Sequence, residues 1–433
     1  MTLSEVRERL KQDIQEAIFA KVIGIDASTV EIVGLNPSLG DIIRIEASNG
    51  EEKLSMVISV KQESFRVSPF GFVEGIKIGD RAYVQSSNLR IPVGEALLGR
   101  VVDPLMKPID DAGPIYTTTY ASIMQEPIDA MKRGLIDEKF KVGVKSIDGL
   151  LTTGIGQKVG IFAGSGVGKS TLMGMIVRGS QSPIKVVALI GERGREVPEF
   201  IEKNLGGDLT DTVVVVATSD DSSLMRKYGA FSAMSVAEYF KSQGRDVLFI
   251  MDSVTRFAMA QREIGLALGE PPTSKGYPPS SLTLLAQLME RAGKEEGKGS
   301  ITAFFTVLIE GDDMSDPIAD QSRSILDGHI VLSREMTDLG VYPPINILNS
   351  ASRVMNDVVD DTHLQNAMKF KRMFSLLKEN EVLIRIGAYE KGSDPELDEA
   401  INKKQIMEDF LKQSPIDVVE YDNTIENLAD VCR

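Results

Sequence analysis

Glycine, lysine and hydroxyl residues crowd into one short stretch, Ala163-Gly164-Ser165-Gly166-Val167-Gly168-Lys169-Ser170-Thr171. That combination can hold a polyphosphate. Backbone N–H groups of a glycine-rich turn converge on α- and β-phosphates, helped by the positive end of a following helix. Lys169 would reach the β/γ oxygens, and Ser170 would ligate Mg²⁺. The nucleotide-binding set read here is Gly164, Ser165, Gly166, Val167, Gly168, Lys169, Ser170 and Thr171. The strict pattern opens with glycine where this chain has Ala163, so the context has to carry the assignment. It does: Lys158-Val159-Gly160-Ile161-Phe162 reads as a short buried parallel strand, and Leu172, Met175, Ile176 and Gly179 continue a helix.

Two further stretches follow in the order that nucleotide chemistry requires. Val187-Ala188-Leu189-Ile190-Gly191-Glu192 is an apolar strand that delivers a carboxylate to the carboxyl end of a sheet. Glu192 is the candidate base, placed to polarise a water that attacks a γ-phosphate. The plainer reading is a strand-end glutamate paired with Arg193 or Arg195. Val247-Leu248-Phe249-Ile250-Met251-Asp252 is a second buried strand ending in an acid, and Asp252 suits coordination, through water, of the Mg²⁺ held by Ser170.

These residues need a sheet and helices to position them. With 433 residues, the chain exceeds one ordinary domain, and its 42% apolar and 26% charged content is that of a globular protein. No apolar run reaches membrane-crossing length, and Met1–Arg9 is charged without a following apolar core, so a cytoplasmic location is expected. The single cysteine, Cys432, excludes an internal disulfide, and two histidines, His329 and His363, make a His-ligated zinc centre a poor reading. A net charge of −15 opposes a surface built to grip nucleic acid.

Along the chain, Leu3, Val6, Leu10, Ile14 and Ile18 lie at steps of three and four, which predicts an amphipathic helix over residues 3–18. It either folds back on its own domain or docks a partner. From Lys21 to Gln85 the period is two, in runs such as 29–33, 41–45, 56–60 and 81–85 with turns at Asn36-Pro37, Asn49-Gly50 and Gly79-Asp80. This predicts a small closed β-barrel, structural and oligomerising, or else oligonucleotide-binding. Residues 88–360 alternate apolar runs with helical patterns, the mark of a parallel sheet covered on both faces. Strands are expected at 159–162, 186–190, 213–217, 247–251, 302–307 and 329–332, with helices after Lys169, Glu196, Ser222, Thr255, Ser281 and Pro317. Residues 263–276 read as a long Gly/Pro loop, either functional or an ordinary surface excursion. From 361 to 433 the pattern is helical and acidic, broken only at Gly392-Ser393-Asp394-Pro395. The expected domains are therefore 1–87, 88–360 and 361–433.

Taken together, the chain closely resembles the flagellar protein export ATPases of the type III secretion ATPase family, which in turn resemble the catalytic subunit of F-type rotary ATP synthases. The specific matches are Gly160–Ser170, Asp252-Ser253-Val254-Thr255-Arg256-Phe257-Ala258, and Asp316-Pro317-Ile318-Ala319-Asp320 leading into Ser324–Arg334. In this family alanine at position 163 is ordinary. The resemblance implies an α/β fold with a RecA-like P-loop NTPase core, an N-terminal β-barrel and a C-terminal helical domain. It implies ATP and Mg²⁺ as substrate and cation, a homohexameric ring, and peripheral association with the inner membrane at the export apparatus. The implied partners are a stator-like regulator at the N-terminal helix, a coiled-coil stalk protein in the ring, export chaperones and substrates, and an export gate at the membrane. By the same resemblance Lys169, Glu192, Arg193, Asp252 and Arg353 form the catalytic set, with Arg353 reaching the neighbouring subunit's γ-phosphate. Its alternative is a salt bridge at a domain boundary. Tyr342 would stack on the adenine, or else be a core tyrosine beside the Pro343-Pro344 turn. In the rotary synthases an aromatic closes the other side of the adenine after a Phe-Leu-x-Gln segment. Here Phe410-Leu411-Lys412-Gln413 leads into Ser414-Pro415-Ile416 without one.

Two other classes share this core. A non-catalytic rotary-ring subunit carries glutamine at the position of Glu192, so the glutamate favours catalysis. A hexameric RNA translocase would need basic and aromatic residues on its barrel, against the acidic balance here.

Overall fold

The computed structural model describes residues 19–309 and 315–433; the helix expected over 3–18 lies outside them. The chain divides into two compact units. One takes residues up to Arg90 with Asp221–Met225 and Glu263–Pro271, and the other takes the remainder.

The first unit holds the closed barrel. Its strands are β1 (Ala20–Ile25), β2 (Val30–Val33), β3 (Ile42–Glu46), β4 (Glu52–Val60), β5 (Phe65–Pro69) and β6 (Arg81–Ser86). They close in the order β1-β2-β5-β4-β3-β6. Alternate residues fill the interior, among them Val22, Val30, Ile32, Ile43, Ile45, Val57, Phe65 and Val67. Strands β1 and β5 fall in the expected period-two span without being singled out in it. Gly24 interrupts the alternation of β1 at a register shift, and β5 is short and ends in Pro69.

The second unit is built on a nine-stranded sheet. Its main path uses β7 (Val101–Val102), β8 (Lys158–Ala163), β9 (Ile184–Glu192), β10 (Thr212–Thr218), β11 (Val247–Asp252), β12 (Ser300–Leu308), β13 (Gly328–Val331) and β14 (Ala351–Ser352). The order is β14-β13-β8-β12-β11-β9-β10-β7, and the pairs from β13 to β7 are parallel. Strands β8 and β11 are buried along their whole length, which is why they read as apolar runs without alternation. Parallel order puts the carboxyl ends of β8, β9, β11 and β12 along one edge, where ligands of such sheets bind.

The helices of this unit follow their signals. The longer ones are α1 (Lys169–Gly179), α2 (Ser223–Ser242), α3 (Val254–Ala267), α4 (Pro279–Met289), α5 (Pro317–Ile325), α6 (Asp361–Glu379), α7 (Pro395–Leu411) and α8 (Tyr421–Cys432). Asp316 caps α5 by accepting from the Ile318 amide at 2.9 Å, and Asp394 caps α7 by accepting from Glu396 at 2.9 Å. Each cap precedes a proline at the first helical position, where a missing N–H does no harm. Two expectations are corrected. The loop at 263–276 begins later, because α3 runs on to Ala267 and buries Ile264. The C-terminal region has a second non-helical stretch, Lys412–Glu420, fixed by Gln413, whose side-chain amide donates to the carbonyls of Gly143 and Asp417 at 2.8 and 2.9 Å.

Helices α6–α8 share one core with the sheet. Phe370, Met373, Met407, Phe410 and Leu428 join Ile147, Leu150 and Ile176 in a single apolar cluster, each such side chain contributing about 1.5–3 kcal/mol by burial. His363 is structural: Nε2 donates to the Gly149 carbonyl at 2.7 Å, and Nδ1 accepts from the Tyr421 hydroxyl at 3.1 Å. Among the described residues no helix is long and apolar enough to cross a membrane.

Candidate nucleotide site

The glycine-rich loop leaves β8 and enters α1 without a side-chain cap. Its first-turn amides are therefore left to a ligand. Gly166 and Gly168 hold φ of 77° and 89°, a region that favours glycine. The loop lines a cleft of about 460 Å³ together with Lys169, Ser170, Thr171, Glu192, Ser253 and Arg256. A second cleft of about 650 Å³ adjoins it, sharing Ser170, Thr171, Glu192 and Glu196 and reaching Asp252.

Lys169 is the charge centre. Its ammonium donates to Asp252 Oδ1 at 2.6 Å and stands 3.7 Å from Glu192 Oε1. Burial pulls the ammonium pKa down, but the two carboxylates outweigh that and hold it above the ordinary lysine value. Burial also pushes the Glu192 carboxyl above its usual range, Asp252 adds to the rise, and Lys169 opposes it. An acid shifted in that direction is closer to what a base at neutral pH requires.

Glu192 is aimed by a bulge. The pairing of β9 with β10 skips a residue between Ile190 and Glu192, and the skipped residue, Gly191, has φ of 74°. A Cβ there would lie 2.7 Å from the Arg256 Cβ. The alternative pairing of Glu192 with Arg193 or Arg195 is not seen: Arg193 binds Glu196 at 3.1 Å and Arg195 approaches Glu196 at 3.8 Å. Arg193 lines the phosphate-loop cleft.

Tyr342 is 43% exposed, which rules out the core-tyrosine alternative. Pro344, two residues on, would lie 3.7 Å from a Cβ on Gly168, so the turn abuts the phosphate loop. The Tyr342 carbonyl accepts from the Gln413 amide at 2.7 Å, so the Phe-Leu-x-Gln segment reaches the same turn. Arg353 pairs with no carboxylate among the described residues, and its guanidinium donates to the Arg323 carbonyl at 3.3 Å. It follows β14 at the opposite edge of the sheet: Ser352 pairs with Gly328, which pairs with Val159 at the start of β8. At about 3.3 Å per strand residue, that start lies on the order of 15 Å from the loop at the end of β8.

Sequence reading did not assign Thr306, Arg256 or Glu196 to this site. Thr306 donates to Asp252 Oδ1 at 2.8 Å. Its signal was a hydroxyl within the apolar run Ala303–Leu308; Arg256 had one in the Asp252–Ala258 stretch.

Backbone amides and an ammonium on one side, with a hydroxyl and carboxylates on the other, divide the work that a nucleoside triphosphate and its cation demand. The protein is thereby placed among the P-loop ATPases. The model of the ATP synthase alpha/beta family nucleotide-binding domain matches residues 143–352, and that of the T3SS EscN ATPase C-terminal domain matches 359–430. The flagellum-specific ATP synthase of Helicobacter pylori (strain ATCC 700392 / 26695) is 63% identical over 434 residues, covering 100% of both chains. The assembled type III secretion ATPase EscN of enteropathogenic E. coli superposes with a TM-score of 0.91 at 46% identity, over 96% of this chain and 100% of that one. EscN with its central stalk EscO gives 0.89 at 45% identity, with coverage of 96% and 100%. The chain belongs to the family of flagellum-specific and type III secretion ATPases, and it is an ATP-hydrolysing enzyme of the protein-export branch.

Proposed function

We propose that ATP hydrolysis at this cleft drives the export of flagellar proteins through a type III secretion apparatus, unloading chaperone-bound substrates at the cytoplasmic face of the inner membrane. The observation that carries the catalytic part is the convergence of Lys169, Glu192 and Asp252 at the mouth of the glycine-rich loop. The loop amides of 164–168 and the head of α1 hold the phosphates, and Lys169 moves from Asp252 to the β/γ oxygens. Glu192 orients the attacking water and draws its proton. The Ser170 hydroxyl and, through water, Asp252 are oxygen donors that would hold a Mg²⁺ bound with the nucleotide, and that hard cation would supply neutralisation of the phosphate charge. Arg193 serves beside Glu192 at the cleft, and Tyr342 offers one face to the adenine.

The site is completed by a neighbour in a homohexamer. Arg353 sits at the wrong sheet edge to serve its own loop, which supports its insertion into the adjacent subunit's site. The short helix Glu381–Arg385 and Ile386 expose Val382, Leu383 and Ile386. That apolar tip supports docking of a coiled-coil stalk protein here, and EscN has been solved in complex with its central stalk EscO. Residues 3–18 are the proposed docking site of a stator-like regulator, and an export gate at the membrane the proposed anchor point. The experiment is hydrolysis rate against protein concentration. A rise steeper than first order, tracking assembly by light scattering, is expected. A strictly proportional rate while the protein is monomeric would overturn the shared site.

A further inference from the structure

The Asp252 carboxylate has a partner besides Lys169. Thr306, on β12 beside β11, is fully buried, and its hydroxyl donates to Oδ1 at 2.8 Å. The same oxygen takes the Lys169 bond at 2.6 Å. Both bonds fall on Oδ1, and Oδ2 accepts from no described residue while Asp252 lines the cleft. The arrangement is asymmetric. When phosphates draw Lys169 away, Oδ1 keeps a donor only if the hydroxyl stays. Threonine suits that task, because its branched Cβ restricts the side-chain rotamer where serine turns more freely.

We propose that Thr306 is a positioning residue for catalysis: its hydroxyl holds the Asp252 carboxylate with Oδ2 toward the cation carried by the nucleotide, and it releases Lys169 without leaving Oδ1 unpaired. This rests on the reading of Asp252 as the carboxylate on the metal side. Thr306 touches neither substrate nor cation, so its effect appears in the metal dependence of binding rather than in binding as such. A purely structural hydroxyl would instead lower the melting temperature and weaken metal-free and metal-bound nucleotide alike.

The test uses the full chain and a fluorescent ATP analogue, titrated once in excess chelator and once with Mg²⁺. Thr306→Val keeps the volume and removes the hydroxyl. Its metal-free affinity is expected to stay within about twofold of the parent, while the gain in affinity on adding Mg²⁺ shrinks by roughly tenfold, the size of one hydrogen bond to a charged group. Thr306→Ser should recover most of that gain. If Thr306→Val does not fold, Thr306→Ala is read in the same way. A valine or alanine variant with the parent's Mg²⁺ gain overturns the proposal, as does a serine variant that behaves like valine. Asp252→Asn separates the two layers. If it keeps the Mg²⁺ gain, the metal reading of Asp252 fails; if it loses the gain while Thr306→Val keeps it, only the role of Thr306 fails.

Discussion

Lys169 stands 2.6 Å from Asp252 and 3.7 Å from Glu192, so one ammonium is shared between carboxylates at the ends of two adjacent strands. In the absence of phosphates the cation has a ready substitute for them, and a nucleotide must compete with Asp252 for it.

Lys169→Ala should abolish hydrolysis, since the charge that neutralises the β/γ-phosphates is gone. It also strips the counter-charge from Asp252, whose side chain is only 3% exposed. Removing one partner of such a buried pair costs about 3 kcal/mol or more. Phosphate release and urea denaturation of the nucleotide-free protein check the two halves. Turnover near the parent rate, or an unmoved denaturation midpoint, would contradict them.

Glu192→Gln should retain nucleotide affinity and lose turnover by roughly 10² to 10⁴, because the amide still accepts a hydrogen bond but is a far poorer base. The loop that binds phosphate is a separate segment, so affinity has no reason to follow. Parallel losses in affinity and rate would assign Glu192 a structural role.

Arg353→Ala should bind ATP, assemble, and lose about 10³ to 10⁵ in rate, the scale of an arginine finger. Mixing it with Glu192→Gln is the sharper measurement. If Arg353 acts on its neighbour, some interfaces join an intact Arg353 to an intact Glu192, and hydrolysis partly returns. A mixture that co-assembles yet stays inactive at every ratio excludes action in trans.

Asp148, which does not line the nucleotide clefts, sets a pH dependence of its own. It is buried, and its carboxylate accepts from the amides of Val142 and Gly143 at 3.0 and 2.8 Å. Burial nevertheless raises its pKa from 3.8 to about 7. The folded state therefore holds this proton more tightly than the unfolded chain does. Its contribution to stability is complete below about 3.8 and fades as pH rises to about 7. Asp148→Asn does not titrate and accepts at one atom instead of two, so it should be less stable by about 1–3 kcal/mol at low pH. The gap to the parent should narrow between about pH 5 and about pH 7.5. Urea midpoints at both values test this, and a gap that widens would refute the sign.

Much of the site was legible because its carboxylates end apolar runs. Glu192 and Asp252 follow uninterrupted buried strands, and the glycine-rich loop lies between a strand and a helix that each announce themselves. What escaped notice depends on neighbours distant in sequence. Thr306 matters only because β12 lies beside β11, an adjacency that no periodicity encodes. Gln413 fell inside a region read as continuously helical, whereas it ties the Tyr342 turn to Gly143. The barrel was legible as a class, with β1 and β5 inside the period-two span but not singled out in it; Gly24 falls at a register shift of β1, and β5 ends in Pro69.

Side chains along a strand alternate, so the face each one occupies is a matter of odd and even counts. Leu189 and Ile190 march in step with Val216 and Ala217, yet Glu192, not Gly191, stands opposite Thr218. The extra residue reverses the parity of the strand tip relative to its neighbour. Excising Gly191 would leave the glutamate's chemistry untouched and turn it to the other face of the sheet, away from Lys169. In this enzyme the side on which the base sits is decided by arithmetic as much as by residue type.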